Sequence, residues 1–216
     1  MNKIKTIVLA ATFAVFGLFS ANAIDAIEFS AGISLKGVEL SGDGSESTST
    51  QTRSETVQAA VGEIFAEARY NMISVGVGVI PYSIESETTS NVRGTNLTDQ
   101  GTTKVQVDLD DNFSAYVLLH LGDSGVYLKG MGTISDVITN ESMATGSKYG
   151  NDELQGTHLG IGYEHELDTV SVRVEAMVSD YEAIDITSSN NDGDPNRIEI
   201  QGMDGTSVAL SVVKSF

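Results

Sequence analysis

Three histidines, His120, His158 and His165, are the only side chains in this sequence that titrate near neutral pH unaided. His120 and His158 share a strand parity with Ser114, Ser171 and several glutamates, so a serine activated by a base is the first chemistry to test. Such a site needs a base within reach of the nucleophile and a third group that orients the base. No spacing here joins one serine, one histidine and one acid, so the sequence reads as non-enzymatic. His120 and His158 read as parts of a polar interior, and His165 as an outward residue near a short turn. Two acidic groups invite a metal. Asn190-Asn191-Asp192-Gly193-Asp194 sets oxygen ligands at alternate positions, but lacks the glycine position and later glutamate of an EF-hand loop. Asp108, Asp110 and Asp111 form a second cluster. Both read as solvated charge, and neither a metal nor a cofactor is expected.

The larger constellation is one of paired charges. Glu28, Glu63, Glu67, Glu164, Glu166 and Glu175 fall on the same parity as Lys36, Arg69, Lys129 and Arg173. An unpaired buried charge is costly. If this parity faces inward, its acids and bases must therefore meet. The expected lumen network comprises Glu28, Lys36, Glu63, Glu67, Arg69, His120, Lys129, His158, Glu164, Arg173 and Glu175.

The elements that must carry these residues alternate with period two, the mark of strands with one apolar face. From Lys104 to Leu121, Val105, Val107, Leu109, Phe113, Ala115, Val117, Leu119 and Leu121 share one parity, broken by Asp111. Similar alternation starts near Ile27, Ala60, Ile73, Val126, His158, Val170 and Ser207. Each apolar band is roughly nine to eleven residues, the length of a tilted strand that crosses a bilayer. Short links at Tyr70-Asn71-Met72, Gly122-Asp123-Ser124-Gly125 and Leu167-Asp168-Thr169 alternate with long polar ones near 41–56, 88–101, 139–154 and 188–196. This pattern predicts an all-β fold: an eight-stranded antiparallel transmembrane up-and-down β-barrel, with both ends on the short-turn side. The glycines in Gly76-Val77-Gly78 and Gly160-Ile161-Gly162 lie within strands and make room for large inward side chains. They form no phosphate cradle.

The N-terminus fits export. Lys3 and Lys5 precede an apolar run, Ile7 to Phe19, and Ser20-Ala21-Asn22-Ala23 has the small-residue cleavage pattern of a signal peptide. Residues 1–23 are expected to be removed, leaving one domain, 24–216. The chain has no cysteine, which excludes a disulfide scaffold. Its formal charge is −18, and −20 without Lys3 and Lys5. That charge excludes general nucleic-acid binding. The stretch from Ser45 to Glu55 is rich in serine, threonine and glutamate, a composition of hydrated surface.

With a signal sequence, alternating strands and a final Val208-Ala209-Leu210-Ser211-Val212-Val213-Lys214-Ser215-Phe216, the chain resembles the small outer-membrane barrels of Gram-negative bacteria. These are the OmpX, opacity and OmpA membrane-domain types. The resemblance implies a cell outer-membrane location and insertion by the barrel-assembly machinery, with Phe216 as the assembly signal. It also implies outer-membrane lipid and lipopolysaccharide as surroundings. The expected function is a non-enzymatic barrel with a closed polar lumen and acidic surface loops, in a structural or surface-interaction role. An extracellular ligand would then engage the loops. The alternatives are a narrow porin-like channel for ions or small solutes and a lipid-modifying enzyme.

Overall fold

The computed structural model describes residues 27–46, 52–86, 89–92, 102–142, 148–189 and 197–216. The expected signal peptide, the Asn190 to Asp194 segment and the middle of the Ser45 to Glu55 stretch lie outside these residues.

Twelve strands follow one another along the described chain: β1 (Glu28–Glu46), β2 (Thr52–Tyr70), β3 (Ile73–Val79), β4 (Ile84–Glu85), β5 (Thr89–Val92), β6 (Thr102–His120), β7 (Val126–Ser142), β8 (Lys148–Tyr149), β9 (Asp152–Glu166), β10 (Ser171–Tyr181), β11 (Ile184–Ser189) and β12 (Arg197–Ser215). Their alternation of β-branched and small or polar residues suits a pleated surface with two different faces. All pairings are antiparallel, as in Glu28↔Arg69 of β1 and β2 and Val126↔Tyr163 of β7 and β9. The tight links use left-handed backbone where the sequence allows it, at Asn71 (φ 53°), Gly122 (φ 65°) and Gly125 (φ 76°).

The topology corrects the expectation of an eight-stranded up-and-down barrel. The sheet is twelve-stranded, in the order β1-β2-β3-β6-β7-β9-β10-β12-β11-β8, with β4 and β5 attached to β6 and a further pairing of β1 with β12. The strands run from 2 to 19 residues, so the sheet is not built of equal staves. Much of what reads as polar loop is strand: β1 continues to Glu46, β2 begins at Thr52 and β7 continues to Ser142. β3 ends at Val79, as the third strand expected from the sequence does, and the chain goes on as the short β4 and β5 rather than in line with it. Pro81 is the physical reason. It has no N–H to give a neighbour and resists the middle of a sheet. The register Ile64↔Val79 would set Pro81 opposite Gly62, and there the β2–β3 pairing stops. The chain turns to β6 instead, where Ile84 faces Leu109 and Thr89 faces Val105. Among the described residues, β2 from Thr52 to Glu63 therefore pairs only with β1. Gly62 N–H donates to the Tyr82 hydroxyl at 2.5 Å in place of the missing strand.

A second irregularity corrects the face of β6. Asp110 faces Asp136, but Phe113 faces Ile134, so β6 holds one extra residue. Asp111, at φ 48°, occupies that bulge. One inserted residue exchanges the faces of everything beyond it. Val107 and Leu109, expected on the apolar outer face with Phe113, instead pack against Val137, Leu154 and Ile184. The sheet thus buries two apolar clusters. The other joins Phe65, Tyr116, Leu118, Tyr127, Met131, Met177 and Val213, and lies among the charged residues.

Candidate functional site

Period two delivers the charged residues to one face. On β2, Glu63, Phe65 and Glu67 are buried while Ile64 and Ala66 are exposed. On β10, Ser171, Arg173, Glu175, Met177 and Ser179 are buried while Val174, Ala176 and Val178 are exposed. Side chains of strands that are not neighbours meet across this concave face. Arg173 of β10 grips Glu67 of β2 with two hydrogen bonds, Nη1 to Oε2 at 2.8 Å and Nη2 to Oε1 at 2.5 Å. This fork-to-carboxylate geometry is the strong form of an ion pair. Arg173 Nε lies 3.2 Å from Glu164 Oε1, close enough for charge attraction but without hydrogen-bond geometry.

Two further pairs complete the arrangement. Lys129 of β7 donates to both oxygens of Glu175, at 3.1 and 2.9 Å. Lys36 of β1 lies 2.6 Å from Glu63. Hydroxyls occupy the remaining lone pairs of these carboxylates. Tyr116 and Ser30 donate to Glu67, Tyr127 to Glu175, Ser114 to Glu63, and Ser171 to Glu164. The Lys129 ammonium also sits 4.3 Å from the centre of the Tyr116 ring, a cation–π contact.

The structure brings together Lys36, Glu63, Glu67, Lys129, Glu164, Arg173 and Glu175. The other sequence-derived residues make no ion pair with these, although His120 lies against the Tyr127 ring with centroids 5.6 Å apart. Glu28 is exposed at the start of β1. Arg69 is half-buried and its Nε donates to the Asn71 carbonyl at 3.2 Å. His120 is buried and its Nε2 lies 2.8 Å from Ser74 Oγ. His158 is held by Ser179 at Nδ1 (2.6 Å) and Thr133 at Nε2 (2.8 Å). Phe216 lies exposed at the sheet's end, its N–H donating to the Phe29 carbonyl at 2.9 Å. His165 is exposed beside the link to β10. Ser74 is fully buried, so its pairing with His120 holds no accessible nucleophile. No group of three or more acidic, histidine or cysteine side chains among the described residues could hold a metal ion.

Sequence reasoning passed over Tyr116 and Tyr127, which join the acids to the apolar cluster. A signal for both was present. Gly76 stands directly across from Tyr116, and Gly162 across from Tyr127. A Cβ on either glycine would strike the facing ring, as it would at Gly32 against Phe65. A glycine opposite an aromatic marks where a ring lies down along the sheet.

The opposite face is apolar and exposed. Ile33 and Leu35 of β1, Leu159 and Ile161 of β9, and Val208 and Leu210 of β12 are all more than half exposed. A contiguous surface of this kind is not a water-facing one. No helix among the described residues is long and apolar enough to cross a membrane, which says nothing of strands.

No family model and no curated protein matches the sequence. Solved structures do resemble the fold. The outer-membrane protein OprG from Pseudomonas aeruginosa is similar with a TM-score of 0.52 at 11% identity, covering 88% of this chain and 96% of that one. The outer-membrane protein AlkL (TM-score 0.49, 10% identity) and a major outer-membrane protein from Thermus thermophilus (0.48, 13%) also align over 88% of this chain, and over 90% and 100% of theirs. The likeness to OprG is one of fold, an antiparallel β-sheet, here with an apolar exposed face.

Proposed function

We propose that this chain is a non-catalytic outer-membrane protein whose interior is sealed by its own side chains and whose work is done at its acidic outer end. The observation that carries the reading is the pairing of the buried charges. Lys36, Lys129 and Arg173 each meet a buried or half-buried glutamate. Aromatic and thioether side chains pack among them. Conduction needs a continuous wet path, and these groups occupy the space such a path would need. The four strands of 19 residues, β1, β2, β6 and β12, are about twice the length needed to span the hydrocarbon. They project beyond it and carry carboxylates there, among them Glu39, Asp43, Asp108 and Glu199. This projection is the surface for lipopolysaccharide, bridged by divalent cations, and for an extracellular ligand. Residues 1–23 act as the export signal, and Phe216 is the residue read by the assembly machinery.

The test is single-channel conductance of the full mature chain in a planar bilayer. Electrical silence across voltage and salt is the expected result. Discrete, reproducible steps would overturn the reading and make ion passage the function.

A further inference from the structure

Two of the sheet's backbone irregularities, the break at Pro81 and the bulge at Asp111, come to the same place. Between them lies a cavity of about 680 Å³. Its lining includes two aromatic residues, Tyr82 and Phe113, the aliphatic Val79 and Ile134, and two carboxylates, Asp110 and Asp111. No lysine, arginine or histidine lines it. Ser83 Oγ donates to Asp110 Oδ1 at 3.0 Å. Asp111 is exposed, in left-handed backbone that most residues avoid. Non-glycine residues in such backbone, and bulges, gather at binding sites. Tyr82 is fixed by its hydroxyl, which accepts from Gly62 N–H, so its ring is held rather than free to swing away.

Aromatic faces attract cations, and tetra-alkylammonium groups most selectively, because their charge is spread over methyl groups that aromatic walls accept. Adjacent carboxylates add attraction without asking for a hydrogen-bond donor. From this combination we infer that the cavity binds a quaternary ammonium group of the choline type. The cavity is larger than such a group, which leaves room for the molecule that carries it. The site is separate from the buried ion pairs and does not depend on whether the interior conducts.

Choline itself is the probe. It would be titrated by calorimetry into the full mature chain in nanodiscs of phosphatidylglycerol, a lipid without an ammonium headgroup. Saturable binding is expected, with the neutral tert-butyl analogue of choline weaker by about tenfold. Asp110→Asn/Asp111→Asn should lose about tenfold in choline affinity, and asparagine tolerates the left-handed backbone at position 111. Tyr82→Phe, which frees the ring from Gly62, and Phe113→Leu, which removes a ring, should each weaken binding. Circular dichroism reports whether each variant is folded, and should one fail, the analogue comparison in the unaltered protein still decides. Equal binding of choline and its neutral analogue, or no saturable binding of choline, would overturn the inference. In discs of phosphatidylcholine, loss of choline binding identifies a lipid headgroup as the natural occupant. Unchanged binding identifies a soluble one. Both results support the site.

Discussion

Arg173 is the residue on which the inner face depends most. It neutralises Glu67 directly and Glu164 at longer range, in a space from which water is excluded. Removing one partner of a buried pair leaves a bare charge and costs roughly 3–5 kcal/mol. Arg173→Met is therefore expected to destabilise the protein by about that much, read as a lower urea midpoint in lipid vesicles. Adding Glu67→Gln to the same chain should recover part of the loss, since it removes the stranded charge. At the outer end the balance differs. Arg197 holds Asp185 with Nε to Oδ1 at 2.7 Å and a second bond from Nη2 to Oδ2, both side chains being exposed. The hydrogen bond, then the charge of Arg197, pulls the Asp185 carboxyl below its ordinary range. A depressed carboxyl contributes stability above its unfolded value and loses it as pH falls through its folded one. Amide protection in β11, relative to the intrinsic exchange rate at each pH, should thus fall on acidification below the usual carboxylate range. Asp185→Asn should abolish that pH dependence while leaving the inner face unchanged.

At the level of strands, alternation predicts which residues share a face only while the register is unbroken. That is why the inward set on β2, β7 and β10 was readable from the sequence alone. Glu63, Glu67, Lys129, Arg173 and Glu175 all lie on the parity that the structure buries. Which acid meets which base was not readable, because pairing across the concave face depends on curvature. The end of β3 was legible and Pro81 accounts for it, yet a proline says only that pairing stops, not where the chain goes next. Asp111 interrupted the apolar run of β6 visibly, but a charge at a rim and a charge in a bulge look alike in sequence. The first leaves Leu109 outside and the second turns it in. The glycine-aromatic pairs give a test at this scale. Gly162→Ala would place a methyl against the Tyr127 ring, whose hydroxyl is tied to Glu175. Overpacking of this kind costs about 1–3 kcal/mol. A lowered urea midpoint is expected for Gly162→Ala. For Gly130→Ala no such effect is expected, since that Cβ would meet only Leu159 at 3.9 Å.

For the molecule as a whole, the pairing of β1 with β12 sets the order of events in its biogenesis. The two strands are joined from Ser30↔Ser215 to Glu46↔Ile198, though they lie at opposite ends of the described chain. Until β12 has been made, β1 has one bare edge, and bare edges recruit other chains. Contacts between distant parts of a sequence also form slowly. A ribosome delivers the N-terminal partner first and the C-terminal partner last, so that edge of β1 must wait, unpaired, until β12 arrives. Chaperoning during transit is therefore a requirement of this topology. A chain cut short before β12 would arrive as a sticky fragment rather than a smaller working protein.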